Sequence, residues 1–157
     1  MTNFITTDSL ADLGKKYRLQ GCSLVLTNGC FDLLHTGHVR YLEQARALGD
    51  VLIVAVNSDA SVRLLKGPTR PINHQQDRAE IIGALRCVDY VTIFEEMRAT
   101  TIIRQLRPHI YVKGGDYTPE KLDFQERRAL EKCQAEIKIL PLIEGRSTTR
   151  LIEKLRI

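Results

Sequence analysis

The sequence contains no tryptophan, and aromatic residues make up only 6% of it. No basic stripe interleaved with aromatics occurs, so the pattern that grips nucleic acid through phosphates and stacked bases is missing. Cysteine is sparse and scattered: Cys22, Cys30, Cys87 and Cys133 form no C-x-x-C pair. That spacing excludes a thiol redox motif and a cysteine zinc site, and the four read as free thiols that fill space. Long apolar runs are also missing. The longest, Val51 to Val56, is far too short to span a bilayer, and no basic segment followed by an apolar core begins the chain. The expectation is a cytoplasmic protein without a signal peptide, membrane contact or nucleic-acid partner. A formal net charge of +4 suits a small polyanionic substrate. At 157 residues with 43% hydrophobic and 27% charged content, one domain over 1–157 is the default, with 1–21 as a helical lead-in. In that lead-in Leu10, Leu13 and Tyr17 fall on one helical face, Asp8 or Ser9 offers a cap, and Gly21 follows the end.

The chain is organised around Thr27-Asn28-Gly29-Cys30-Phe31-Asp32-Leu33-Leu34-His35-Thr36-Gly37-His38. An apolar run, Leu24 to Leu26, leads in, and an amphipathic run with Val39, Leu42, Ala45 and Leu48 leads out, so the stretch is a strand-to-helix turn. The first N–H groups of a helix lack intrahelical partners and sit at the positive end of its dipole, which makes such a turn an anion site. His35 and His38, at i and i+3, can face the same way, and Gly37 lets a ligand oxygen approach the backbone. Imidazole N–H groups suit a reaction in which negative charge grows on a phosphate. A zinc pair or two capping histidines are the other readings. His74 and His109 lie outside any ligand-like spacing, which weighs against zinc.

The remainder alternates between strand and helix. Val51 to Val56 is apolar throughout, as a strand buried on both faces must be, and with the preceding strand and helix it forms a right-handed βαβ unit. Further strands are expected at Tyr90 to Phe94, His109 to Lys113 and Ile137 to Leu140. Helices are expected at Ala60 to Leu65, Gln75 to Leu85, Thr100 to Leu106, Phe124 to Ala135 and from about Ser147 to Thr149. The fold class is α/β, a Rossmann-like doubly wound five-stranded parallel sheet with helices on both faces. Its ligand crevice belongs at the carboxyl ends of the strands. Asn57-Ser58-Asp59 and Gly114-Gly115-Asp116-Tyr117 fall there, although Ser58 or Asp59 could equally cap a helix, and the glycines could serve only a turn. Lys66-Gly67-Pro68-Thr69-Arg70-Pro71 reads as a punctuated loop carrying two cations, in the position of a mobile lid. His109, at a strand's start, is expected to be structural. Glu144-Gly145-Arg146-Ser147-Thr148-Thr149 pairs a tight entry with a cation and three hydroxyls at a helix start, where an ordinary cap needs only one.

Gly29-Cys30-Phe31-Asp32-Leu33-Leu34-His35-Thr36-Gly37-His38 resembles the G-x-F-D-x-x-H-x-G-H signature of the cytidylyltransferase-like nucleotidyltransferases. The second family segment is Glu144 to Thr149, and the resemblance covers roughly Leu24 to Ile157. Within the superfamily the chain is most similar to the bacterial heptose 1-phosphate adenylyltransferases, often the second half of a kinase-adenylyltransferase fusion. Asn57-Ser58-Asp59, Lys66-Gly67, Arg70-Pro71-Ile72-Asn73, Asp77-Arg78-Ala79-Glu80 and Val112-Lys113-Gly114-Gly115-Asp116-Tyr117 carry that likeness. Two positions depart from superfamily patterns. Gln76 stands where a glutamate often precedes the common arginine, here Arg78, whose acidic partner must then be Asp77, Glu80 or a residue elsewhere. Leu142-Ile143 replace an Arg-Thr common in the cytidylyl branch.

The resemblance implies strand order 3-2-1-4-5 and a crevice between strands one and four. The activity it implies is transfer of AMP from ATP to a sugar 1-phosphate. The acceptor would be D-glycero-D-manno-heptose 1-phosphate, and the products ADP-heptose and pyrophosphate, for lipopolysaccharide core or S-layer glycan precursors. His35, His38 and Lys66 take the catalytic roles. Asn28, Gly29, Cys30, Phe31, Asp32, Gly37, Asp116, Glu144, Gly145, Arg146, Ser147, Thr148 and Thr149 bind the nucleotide. Asn57, Asp59, Arg78 and Lys113 bind the acceptor. Magnesium would ride on the substrate phosphates, with no acid of the chain assigned to it. A separate sugar kinase is the implied functional partner, and a homodimer is compatible with the likeness. The alternatives are a cytidylyltransferase acting on glycerol 3-phosphate or a similar phospho-alcohol, and a non-catalytic nucleotide-binding module.

Overall fold

The structure, a computed structural model, describes residues 3–115, 117–141 and 148–155. Five parallel strands form one sheet: β1 (Leu24–Gly29), β2 (Val51–Asn57), β3 (Tyr90–Phe94), β4 (Ile110–Gly114) and β5 (Glu136–Leu140). Their order is β3-β2-β1-β4-β5, so the chain starts mid-sheet and winds outward in both directions. The helices are α1 (Leu10–Leu19), α2 (Thr36–Arg46), α3 (Asp59–Lys66), α4 (Gln75–Gly83), α5 (Thr100–Leu106), α6 (Phe124–Cys133) and α7 (Thr148–Leu155).

Side chains alternate faces along a strand, and that alternation divides the core into two layers. On one face Leu24, Leu26, Ile53 and Ala55 pack with Leu10 of α1, Ile102, Ile103 and Leu106 of α5, and Leu130 of α6. On the other, Val25, Leu52, Val54 and Val56 pack with Leu42 and Ala45 of α2 and Ala79 and Ile82 of α4. Every residue of β2 is buried, which accounts for its unbroken apolar run. The close approach of α1 to α5 depends on Gly14, where a Cβ would lie 2.3 Å from the Leu106 carbonyl oxygen. Among the described residues no helix is long and apolar enough to cross a membrane.

The lead-in corrects one expectation. A 3-10 turn, Thr7–Ser9, runs straight into α1. Ser9 is itself helical and makes no side-chain cap; its hydroxyl lies 3.1 Å from that of Thr6. The segment before it is anchored instead by backbone pairing, with the Ile5 N–H donating to the Val91 carbonyl at 2.9 Å. His109 plays the structural part expected of it, because its Nδ1 accepts from the Leu24 N–H at 2.9 Å where β1 begins. Lys66 differs from expectation: it is the last residue of α3, before Gly67 at φ 99°, and the irregular connection starts after it.

The register sets up the site. Thr27 pairs with Val112 across β1 and β4, so the next residues, Asn28 and Lys113, stand side by side where both strands end. The carboxyl end of β2 places Asn57 on their other flank, since Gly29 pairs with Val56.

Candidate active site

The turn between β1 and α2 is held by hydrogen bonds to residues far along the chain. Asp32, almost fully buried, accepts from Arg70 Nε at 2.6 Å and from the Ile72 and Asn73 N–H groups at 2.8 and 2.9 Å. Asn73 also donates from Nδ2 to the Asp32 carbonyl at 3.0 Å. Burial works to raise the Asp32 pKa, but the Asn73 and Ile72 amides and the Arg70 guanidinium outweigh it and hold the carboxyl below the usual range. Beneath the turn lies Arg78, 1% exposed. Its Nε donates to the Asn73 carbonyl at 3.0 Å, Nη1 to the Cys30 carbonyl, and Nη2 to the Asn57 carbonyl and Asp59 Oδ1, both at 2.8 Å. One guanidinium thus ties together the ends of β1 and β2 and the start of α4. Asp59 is the acidic partner left open by Gln76, and its second oxygen lies 3.1 Å from His74 Nε2.

His35 and His38 meet at the start of α2. Their rings stack with centroids 3.9 Å apart at 28°, and Phe31 packs edge-on to His38 at 5.6 Å. The His38 N–H donates to the His35 carbonyl at 2.9 Å, while the His35 N–H donates to His38 Nδ1 at 3.4 Å. An acceptor role for Nδ1 assigns the His38 proton to Nε2, which then acts as a donor. Burial, with the neighbouring His35 adding to it, pushes the His38 pKa down to about 4. His38 is therefore a neutral hydrogen-bond donor at physiological pH.

These residues open onto a cleft of about 490 Å³. Its floor is Asn28, Gly29, Cys30, Phe31 and Asp32. One side carries His35, Gly37, His38 and Tyr41 of α2, and the other Asn57, Met97, Arg98 and Lys113. Lys66 and Arg70 approach from the α3 end, and Tyr117, Pro141, Thr148 and Thr149 complete the rim. The Thr148 hydroxyl donates to the Leu33 carbonyl at 3.0 Å, which draws the start of α7 against the turn before α2. Two helix N-termini thus face one cavity, a doubled version of the anion site expected from α2 alone.

Asn28 anchors a polar relay on the opposite wall. Its Oδ1 accepts from Tyr111 Oη at 2.7 Å and Lys113 Nζ at 2.9 Å, so the amide NH2 is directed away from both. Lys113 also lies over the Tyr111 and Tyr117 rings, 5.5 and 5.4 Å from their centroids. Burial lowers its pKa; Glu126 opposes the shift and Arg98 adds to it. Burial likewise pushes the Cys30 thiol up, against the opposing pull of Lys66, Arg78 and Arg70. Cys30 lines the cleft, and a raised pKa disfavours the reactive thiolate.

Of the residues singled out in the sequence, Asn28 to Asp32, His35, Gly37, His38, Asn57, Lys66, Lys113, Thr148 and Thr149 come together on the cleft. Arg78 and Asp59 do not line it. Both are consumed beneath the turn, so an acceptor-binding role for either gives way to a supporting one. Asp116, Glu144, Gly145, Arg146 and Ser147 lie outside the described residues. Sequence reasoning missed Arg98, Met97 and Tyr41. Arg98 had a usable signal, since it lies just beyond the carboxyl end of β3. Among the described residues no group of three His, Cys, Asp or Glu side chains could hold a metal ion, and Asp32 spends both its oxygens on protein donors. An ion held mainly by substrate phosphates needs few protein ligands.

Residues 26–154 match the family described as cytidylyltransferase-like. The chain is 49% identical over 148 residues to the bifunctional protein HldE of Syntrophotalea carbinolica, covering 94% of this chain and 30% of that protein. To the HldE of Pelobacter propionicus it is 50% identical over 147 residues, with the same coverage. The chain therefore spans about a third of the length of these relatives. Among solved structures it is similar to a lipopolysaccharide core biosynthesis protein from Thermoplasma volcanium, at 30% identity and a TM-score of 0.65, covering 80% of this chain and all of that one. A pantoate-beta-alanine ligase from Francisella tularensis, 13% identical with a TM-score of 0.59 over 95% of this chain and 69% of that one, shares the fold alone. Together with the paired histidines at the start of α2, the match over most of the chain shows that it belongs to the cytidylyltransferase-like family of nucleotidyltransferases.

Proposed function

We propose that the chain transfers AMP from ATP to a sugar 1-phosphate, D-glycero-D-manno-heptose 1-phosphate, giving ADP-heptose and pyrophosphate. The observation that carries the reading is the pair of stacked imidazoles at the start of α2, one held neutral with its proton on Nε2, beside a second helix N-terminus across the same cleft. An acceptor phosphate oxygen attacks the α-phosphorus of ATP; the bond from that phosphorus to the bridging oxygen breaks, and pyrophosphate leaves with the electron pair. His35 and His38 donate to the α-phosphate oxygens as their charge grows, with no proton transfer required of them. Lys66 reaches the reacting groups from the end of α3. Thr148 and Thr149, with Glu144 to Ser147 leading into them, hold the departing β and γ phosphates. Asn28, Gly29 and Gly37 present the close backbone and amide donors of the nucleotide site, and Asp116 meets the ribose or base. Asn57 and Lys113 face the acceptor. Magnesium bound to the ATP phosphates would neutralise charge there, with no acid of the chain assigned to hold it.

The sugar is argued from the resemblance of the chain's motifs to those of the heptose 1-phosphate adenylyltransferases. The relatives' likeness runs through the whole of the chain's sheet, and the lipopolysaccharide core biosynthesis protein points to a glycan precursor as product. The relatives are named as bifunctional, and the likeness to heptose 1-phosphate adenylyltransferases, often fused to a kinase, supports a cytoplasmic setting beside a sugar kinase that supplies the acceptor. Incubation with MgATP and the heptose 1-phosphate should release pyrophosphate and ADP-heptose in equal amounts. Binding of ATP without product from any sugar phosphate would mark a nucleotide-binding module instead.

A further inference from the structure

The cleft has cations on two sides that the triphosphate does not account for equally. Lys66 comes from α3, on the side where the α2 terminus and the histidines receive the nucleotide phosphates. Arg98 enters from the connection between β3 and α5, and α5 packs on the opposite face of the sheet. Lys113 lies on the same cleft at the end of β4. Among the described residues neither Arg98 nor Lys113 forms an ion pair. Lys113 has the neutral Asn28 oxygen at 2.9 Å and two tyrosine rings around it, with the buried Glu126 carboxylate acting on it through space, while Arg98 is exposed on the cleft wall.

Two like charges facing one cavity oppose each other, and a dianion between them would relieve that cost. The backbone beside Arg98 is set for the task. Glu126, 2% exposed, accepts from the Ala99 N–H at 2.7 Å, which fixes the residue next to Arg98. The same Glu126 oxygen lies 3.5 Å from Tyr111 Oη, whose proton goes to Asn28. That buried carboxylate thus fixes the backbone beside Arg98 and lies behind Tyr111, over whose ring Lys113 sits, while the Arg98 guanidinium is exposed.

We propose that Arg98, with Lys113, receives the phosphate of the acceptor and so selects phosphorylated acceptors over neutral ones. The inference rests on the reading of the chain as a sugar 1-phosphate nucleotidyltransferase and adds to it a residue that the family signature does not contain. A guanidinium grips two phosphate oxygens in a planar fork, and Lys113 supplies a point charge beside it. Loss of Arg98 should therefore weaken acceptor binding and leave the nucleotide side intact.

The test compares the full chain with Arg98→Ala and Arg98→Lys, measuring KM for heptose 1-phosphate and for ATP separately, together with inhibition by inorganic phosphate. Arg98→Ala is expected to raise the acceptor KM about tenfold or more with the ATP KM within about twofold, and to weaken competitive inhibition by phosphate in parallel. Arg98→Lys should recover part of the loss. A normal acceptor KM in Arg98→Ala, or an ATP KM that rises with it, overturns the assignment of Arg98 while the activity of the wild type stands. A wild type that neither binds nor turns over any phosphorylated acceptor overturns both readings.

Discussion

The Asp32 carboxylate and the Arg70 guanidinium meet at 2.6 Å, with the Asp32 side chain 1% exposed, so the acid of the β1–α2 turn holds the connection that leads to α4. That pairing changes what a lid over this cleft can be. The segment expected to move as a whole is pinned at Arg70, Ile72 and Asn73 by one carboxylate. Lys66 at its other end is exposed, and only the stretch between the two is without such anchors.

Hydrogen exchange should reflect the division. The Ile72 and Asn73 amides should be protected before any substrate is added, and changes on binding ATP plus acceptor should concentrate at Lys66 to Thr69. Asp32→Ala leaves three part-buried donors without a partner, at up to about 1 kcal/mol each, below the cost of a fully buried group. It should lower the urea midpoint and abolish the protection at 72 and 73. Protection that survives in Asp32→Ala would show that the segment is held by something else.

Arg78 offers a sharper test of packing. Its side-chain bonds run to Cys30, Asn57, Asp59 and Asn73, from four separate segments of the chain, and Asp59 forms its ion pair with it at 2.8 Å. Arg78→Met should cost about 3–5 kcal/mol, because it leaves Asp59 buried without its cation. The double variant Arg78→Met/Asp59→Ala should lose less than the sum of the single changes, since the pair acts as a unit. Urea denaturation of the four proteins measures this, and simple additivity would mean that Arg78 works only through its carbonyl contacts.

The histidines predict both a rate and a pH dependence. His35→Ala and His38→Ala should each reduce kcat about a hundredfold, on the order of 3 kcal/mol, with little change in ATP binding. For stability, the folded state holds the His38 pKa near about 4, from an ordinary 6.5. Below pH 6.5 the unfolded chain takes up a proton that the folded chain refuses, so the unfolded state binds more protons and stability falls with pH across that window. Between pH 7 and pH 4.5 the wild type should lose about 2–3 kcal/mol more than His38→Gln. The Asp32 contribution, from a depressed carboxyl pKa, fades only at lower pH, so the two windows separate. An identical pH profile for His38→Gln would remove His38 as the cause.

How much of this was legible in the sequence depends on how far apart the cooperating residues lie. β2 could be read from six apolar residues in a row, because burial on both faces leaves no polar positions. The His35–His38 pair could be read because one helical turn brings them together. Tyr90–Phe94 and Thr100–Leu106 fell within their expected bounds, where punctuation and periodicity agree. By contrast, Asp32 with Arg70, Arg78 with Asp59, and Asn28 with Lys113 are joined only by the register and the crossover connections, which no local pattern encodes. Arg98 was passed over because a single arginine in an irregular connection looks like any solvated charge until the sheet order brings it to the cleft. Gly67-Pro68 signals a break that reads as a loop taking in Lys66, whereas α3 runs through the lysine and the break starts one residue later.

The nucleotide base depends on the rim beyond β4 and β5. A cytosine edge is read by side chains that can accept from its amino group and donate to its carbonyl, as carboxamides do. The described rim offers Gly114, Tyr117 and Pro141, and the Gly115 N–H is already donated to the Leu140 carbonyl at 2.9 Å. In sequence, Leu142 and Ile143 follow Pro141, and neither side chain has a donor or acceptor with which to read a pyrimidine edge. An aromatic ring with a flat apolar border favours the larger face of a purine, through stacking and buried area. ATP should therefore exceed CTP by at least about tenfold in kcat/KM, a difference of only about 1.4 kcal/mol. The measurement is pyrophosphate release with each nucleotide at matched magnesium and acceptor. Equal or faster turnover with CTP would reassign the chain to cytidylyl transfer, with glycerol 3-phosphate the first acceptor to try.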